Sequence, residues 1–309
     1  MRFITPPKFS KFKYFPCLIF ILLCSLSTGI LAQQTDNPSE KRIDFRLHEK
    51  GKVYINWGYN ISWYNDSDIH FSGQGHDFVL YNVVAHDRPS KLSLDYIKPT
   101  TWSIPQFNFR FGYFISDKYS ISIGWDHMKY VADDYQTVKM YGYLDPSIVS
   151  DTLMQTNMGK LNAKYSSSGL YNQVDVEMTP DDFIHYEHTD GLNYASIDIE
   201  RYIELWQCSK YDRFGITLVT GAGAGLIIPR TDAHLFGSGE NHFWNVAGWG
   251  SSLKIGLQIN LTKLIYLQSD FKYGYLQMSN VHTSTHKDID KATQHIVFYE
   301  NYWLIGFRF

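Results

Sequence analysis

Two clusters in this chain carry residue types suited to acid–base or metal chemistry. Asp126-His127 closes one alternating segment, and His185-Tyr186-Glu187-His188-Thr189-Asp190 opens the next. A carboxylate beside an imidazole can orient it as a general base, and the same groups are ligands for a divalent cation, calcium or zinc. Because alternate residues of a strand share a face, Asp126, His188 and Asp190 fall on the inward face. These three are the candidate metal set and candidate catalytic residues. With His127, His185 and Glu187 they make up the candidate binding residues. Their spacing matches no established zinc motif, which favours a hydrogen-bonded rim without a ligand.

The run Gly221-Ala222-Gly223-Ala224-Gly225 invites a phosphate-loop reading. No Gly-Lys-Ser/Thr follows it, and its surroundings read as strand rather than strand-turn-helix. Glycines here are expected to let bulky side chains from neighbouring strands pass close to the backbone.

The elements that position these residues announce themselves by period two. In residues 53–64 the odd positions are Val53, Ile55, Trp57, Tyr59, Ile61 and Trp63, and the even ones include Asn56, Gly58, Asn60 and Ser62. The same alternation recurs over 104–115, 119–131, 192–206, 213–230, 243–261, 264–278 and 294–309. One face suits lipid and the other a polar interior. Connections alternate between short (116–118, 207–212, 262–263) and long (65–103, 132–191, 231–242, 279–293), the signature of a transmembrane barrel with short periplasmic turns and long extracellular loops. The fold class is therefore all-β, a transmembrane antiparallel up-and-down β-barrel. Eight strands fit best; ten or twelve stay open, because Phe78–Ala85, Val138–Leu144 and Leu170–Met178 also have strand character. These three are read as β-extensions of an extracellular cap. Eleven of the 12 histidines fall in or beside that half of the chain.

Compartment and domain limits follow from the first residues. Arg2, Lys8, Lys11 and Lys13 precede an apolar run from Cys17 to Leu26, and Ala32 precedes a cleavage point. This pattern reads as a signal peptide over 1–32, since the run is shorter than the roughly 20 residues of a membrane helix. A periplasmic linker follows over 33–51 and the barrel over 52–309, with both termini periplasmic. Cys208 is the lone cysteine after residue 32, which excludes an intramolecular disulfide and a cysteine metal site. The net charge of −3 gives no basic surface for nucleic acid.

The ending Tyr302-Trp303-Leu304-Ile305-Gly306-Phe307-Arg308-Phe309 resembles the C-terminal signal by which outer-membrane proteins are recognised for assembly. The chain after residue 32 resembles the small eight-stranded barrel superfamily of OmpA-like, OmpW-like and lipid A deacylase-like barrels. Its aromatic, Asn- and Tyr-rich character and its long loops are similar to those of Bacteroidota barrels. The resemblance implies an integral outer-membrane protein in contact with lipid and lipopolysaccharide, delivered by the assembly machinery through the strand ending in Phe309. The deacylase comparison points to Ser279 and Glu300 as further catalytic candidates, but Gln277 stands where that family has its histidine, so Ser279 lacks a base.

An eight-stranded barrel holds side chains or one small ligand. Its interior here is expected to contain Arg110, Lys254, Lys272 and Arg308 with Asp126, Asp198, Glu200, Glu204, Asp270 and Glu300, which should pair into a plug. Three functions stay open. The first is a plugged barrel whose cap binds a ligand or surface partner. An outer-leaflet lipid-modifying hydrolase and a narrow transport barrel for a small amphipathic solute are the alternatives.

Overall fold

A computed structural model describes residues 48–91, 106–208, 214–239, 243–286 and 288–309. The expected signal peptide at 1–32 and residues 33–47 of the expected linker lie outside the described residues. The chain forms strands β1 (Val53–Tyr64), β2 (Ser67–Gly73), β3 (His76–Val83), β4 (Ala85–His86), β5 (Phe107–Ser116), β6 (Tyr119–Ala132) and β7 (Thr137–Leu144). Helix α1 (Thr152–Tyr165) then precedes β8 (Leu170–Glu177), β9 (Ile184–Gln207), β10 (Gly215–Leu235), β11 (Phe243–Trp244), β12 (Gly248–Asn260), β13 (Ile265–His282) and β14 (Lys291–Arg308).

Eight strands close a hydrogen-bonded ring in the order β1-β5-β6-β9-β10-β12-β13-β14, with β14 returning to β1. Every pairing is antiparallel. At the seam Tyr54 faces Arg308, Tyr59 faces Trp303 and Tyr64 faces Phe298, so a barrel with no free edge results. Each of the eight alternating segments supplies one ring strand. The period-two rule then sorts the side chains: Ile197, Ile199, Ile255, Leu257, Phe271, Trp303 and Ile305 are exposed on the outer surface, while Arg110, Asp126, Asp198, Asp270, Lys272 and Glu300 are buried.

Exposed aromatic residues flank the aliphatic band, with Trp63 and Trp249 on one side and Tyr113, Tyr119, Trp206 and Phe214 on the other. Above it, the outward positions of β9 become His185, Glu187 and Thr189, so Ile184–Asp190 lies beyond the apolar band. The 243–261 segment divides: β11 pairs briefly with β10, and β12 begins at Gly248. Ala247 causes the break, because its carbonyl accepts both Ser279 N at 2.9 Å and Asn280 N at 3.2 Å, where β13 bulges between Met278 and Val281.

Beyond the band the sheet continues from β14 to β2, β3, β7 and β8. The three stretches read as β-extensions correspond to β3, β7 and β8. The 65–103 and 132–191 connections also contain β2 and α1, elements that period two did not announce. Asp151 starts α1 by accepting the amides of Leu153 at 2.8 Å and Met154 at 3.0 Å, and Met158 and Leu161 bury one helix face. Phe71, Phe78, Phe183 and Phe236 are fully buried around this layer, each contributing about 1.5–3 kcal/mol. The same apolar core runs down into the barrel through Tyr130, Tyr186, Leu276, Ile296 and Phe298.

Candidate functional site

The barrel interior is an ion network. Arg110 on β5 meets Asp126 on β6 at 2.6 Å and Asp198 on β9 at 2.9 Å. Lys272 on β13 bonds Asp126 and lies 3.3 Å from Glu300 on β14. Lys254 on β12 pairs with Glu200, which also accepts from Tyr54, from Tyr202 at 2.7 Å and from Ser120 at 3.0 Å. Isolated charges would cost several kcal/mol each in such surroundings, so sharing each carboxylate between donors is what makes burial tolerable. Room for the long side chains comes from glycines: a Cβ on Gly124 would stand 2.5 Å from the Arg110 guanidinium carbon, and one on Gly223 1.9 Å from Asp198 Oδ1. Gly223 in the 221–225 run thus makes way for a neighbouring strand's side chain. Aromatic packing closes the other end, where His48 lies against Phe114 and Tyr202 with ring centroids 5.4 and 4.5 Å apart.

The structure does not bring the expected metal trio together. Asp126 is consumed by Arg110 and Lys272. His188 lies opposite Tyr130 rather than Asp126, about 13 Å along β6 at the usual strand rise. The bulge between Met128 and Tyr130 seats it beside Tyr130 and Tyr186, with Nδ1 3.0 Å from Thr231 Oγ1. In this part of β9, beyond the apolar band, burial pushes the His188 imidazole down to about 3, so it is held neutral. Asp190 is half exposed and bridges to Arg230 at 3.2 Å. Among the described residues no group of three or more His, Cys, Asp or Glu is placed to hold a metal ion.

The other candidate binding residues separate as well. His127 Nδ1 is 2.7 Å from Asn193 Oδ1, and its ring stacks on Phe107. His185 lies between Glu187 and Asp134, 3.5 and 2.9 Å away, and these carboxylates raise it to about 9. Glu187 also meets Arg88 at 3.2 Å. The deacylase candidates do not form a pair either: Glu300 sits in the lumen opposite Lys272, whereas Ser279 is exposed beyond Met278 on the β13 bulge. Ser279 lies seven positions beyond Lys272 on β13, about 23 Å of strand.

A cavity of about 420 Å³ opens among the connections beyond the apolar band. Four segments build it: the β2–β3 turn with Gln74 and His76, the start of α1 with Asp151 and Met154, the turn after β10 with Ser238, and the β13–β14 connection with Thr283 and Asp290. Its polar groups are organised. Ser238 Oγ donates to Asp151 Oδ2 at 3.1 Å, and Ser284 Oγ donates to Asp290 Oδ2 at 2.5 Å. Gln74 N donates to Asp290 Oδ1 at 3.2 Å. His76 is 2% exposed, packs against Phe78 and Phe236, and has no hydrogen-bond partner at Nε2. The sequence clusters pointed away from this site, because its residues lie on four segments with no common spacing. The one signal was the crowding of histidines into the long connections.

No family model matches this sequence, and no curated protein matches it. Among solved structures, the chain is similar to the outer membrane protein OprG from Pseudomonas aeruginosa at 10% identity, covering 86% of this chain and 99% of that one with a TM-score of 0.38. It is also similar to the outer membrane protein AlkL, at 11% identity with coverages of 90% and 97% and a TM-score of 0.35. A third likeness is to Ail, the attachment invasion locus protein of Yersinia pestis, at 10% identity, 84% and 99% coverage and a TM-score of 0.33.

Proposed function

We propose that this chain is an integral outer-membrane β-barrel with a sealed interior, whose cap faces the cell exterior and binds a small ligand in the cavity between α1, the β2–β3 turn and the β13–β14 connection. The exposed aliphatic band between aromatic margins supports the membrane reading, because a closed barrel satisfies every backbone group without water. Orientation follows the connections: the ends of β5 and β12 near Phe309 turn back within a few residues, whereas the opposite end carries the long excursions. The observation that carries the binding reading is the built cavity above a filled barrel. Buried Leu276, Met278, Ile296 and Phe298 lie above the Lys272 and Arg110 ion pairs, which leaves the cap as the place where a solute meets the protein. The scattered placement of Ser279, Glu300, Asp126 and His188 gives the hydrolase alternative no nucleophile–base pair.

Two measurements on the full chain test this. In planar bilayers it shows no steady conductance. In a thermal-shift survey of small solutes, those that stabilise it lose their effect in Ser150→Trp, which places an indole in the cavity. Steady conductance, or stabilisation unaltered by the indole, overturns the proposal.

A further inference from the structure

The cavity offers lone pairs and few free hydrogens. His76 Nδ1 lies 3.2 Å from the carbonyl of Gln74, and a carbonyl only accepts, so Nδ1 carries the proton. Burial lowers the affinity of this imidazole for a second proton. Nε2 is therefore a bare acceptor at a residue 98% buried, with nothing donating to it. Around it several donors are already spent: Ser150 Oγ donates to Gln74 Oε1 at 3.1 Å and Gln74 Nε2 to the carbonyl of Ile148 at 2.9 Å, besides the Ser238 and Ser284 bonds to carboxylates. Thr283 Oγ1 is a second buried polar atom without a partner. No lysine or arginine is among the described residues that line the cavity, whereas Asp151 and Asp290 both do.

Geometry narrows the ligand further. Asp290 Oδ1 and the Cε1–Nε2 edge of His76 crowd the point at which a Cβ on Gly73 would stand. With no side chain at Gly73, the Asp290 carboxylate and the His76 imidazole converge on one part of the cavity lining. His286 Nδ1 is 3.7 Å from Asp290 Oδ2, the other oxygen. Exposed apolar side chains adjoin the lining segments: Ile148 at 55%, Leu153 at 51% and Ile289 at 58%. An acidic, acceptor-rich floor beneath an aliphatic margin is complementary to a cation carried on an apolar stem.

From this we infer that the cap cavity binds a primary ammonium group on an aliphatic chain, with the nitrogen between His76 Nε2 and Asp290 Oδ1 and the stem against Ile148, Leu153 and Ile289. The inference rests on the cavity being the ligand site proposed above. An ammonium supplies three N–H donors and one positive charge, which match a lone pair, a carboxylate and a hydroxyl. Phosphate and carboxylate ligands are anions and are repelled by the two carboxylates.

Titration calorimetry on the full chain in nanodiscs tests it with 1,5-diaminopentane, 1,5-pentanediol, glucose and inorganic phosphate as probes. The diamine is expected to bind saturably at one site, at least tenfold tighter than the diol, with no phosphate binding. His76→Phe, which preserves the ring packing, and Asp290→Asn should each weaken it tenfold or more, and Ser150→Trp should abolish it. Equal affinity for diol and diamine, or diamine binding indifferent to His76→Phe, overturns the ammonium assignment. Glucose or phosphate bound in the cavity and lost in Ser150→Trp leaves a ligand site but refutes this ligand class. If none of the four probes binds, the ammonium assignment is likewise refuted, while the conductance and solute survey decide the underlying function separately.

Discussion

Arg110 on β5 grips Asp126 on β6 through two hydrogen bonds, Nη1 to Oδ1 at 2.6 Å and Nη2 to Oδ2 at 3.0 Å. A fork-to-fork pair of this kind fixes both side chains in one geometry. It also explains why a carboxylate one residue from a histidine is not a catalytic or metal group here: its lone pairs belong to Arg110, Lys272 and, at 2.6 Å, Asn108.

Breaking that centre should be costly. Asp126→Ala leaves two buried cations short of a partner, and the expected loss is about 3–5 kcal/mol. Urea-dependent unfolding in detergent measures it; a loss below about 1 kcal/mol would show that the network contributes little.

Volume is the second constraint on the interior. Gly124→Val places methyl groups where the Arg110 guanidinium lies, and overpacking of this kind costs about 1–3 kcal/mol. Folding yield and the midpoint of heat denaturation report it, with wild-type values counting against tight packing around Arg110.

The cap helix should respond to local chemistry alone. Asp151→Ala removes the acceptor for Leu153 and Met154 amides and is expected to cost about 0.5–2 kcal/mol. Gly159→Ala, where a Cβ meets nothing within 4 Å, should stabilise the helix by about 0.5–1 kcal/mol. Limited proteolysis across 152–165 ought to accelerate in the first variant and slow in the second.

Two histidines of the upper β9 give the cap opposite pH responses. His188 is depressed to about 3 by burial, so below the unfolded value of roughly 6.5 the unfolded chain binds a proton that the folded one refuses. Stability is present above that value and is lost as the pH falls toward 3, by about 1.4 kcal/mol per unit in that window. His185, raised to about 9 by Glu187 and Asp134, contributes fully below roughly 6.5 and loses its contribution as the pH rises through 9. Near-ultraviolet circular dichroism during urea unfolding at stepped pH resolves both limbs. The acid limb should flatten in His188→Phe and the alkaline limb in His185→Gln; unchanged limbs in these variants would refute the assignment.

Alternation alone made the barrel legible. Strand geometry sends every second residue to the same face, so Val53 to Trp63 or Val297 to Phe309 declares its orientation without knowledge of its neighbours, and the burial of Arg110, Lys272 and Glu300 follows from parity. Helix α1 also left a trace in the spacing of Met154, Met158 and Leu161 behind a capping Asp151, although a period of 3.6 is easily missed inside a long connection. What only the tertiary structure decided is register and convergence. A register that pairs Asp126 with Tyr194 and His188 with Tyr130 kept the two candidates apart, and four segments far apart in the chain delivered Gln74, Asp151, Ser238 and Asp290 to one cavity. Periodicity reports which face a residue takes; which residues meet there depends on bulges and on how connections pack across the barrel end, and no local spacing encodes that.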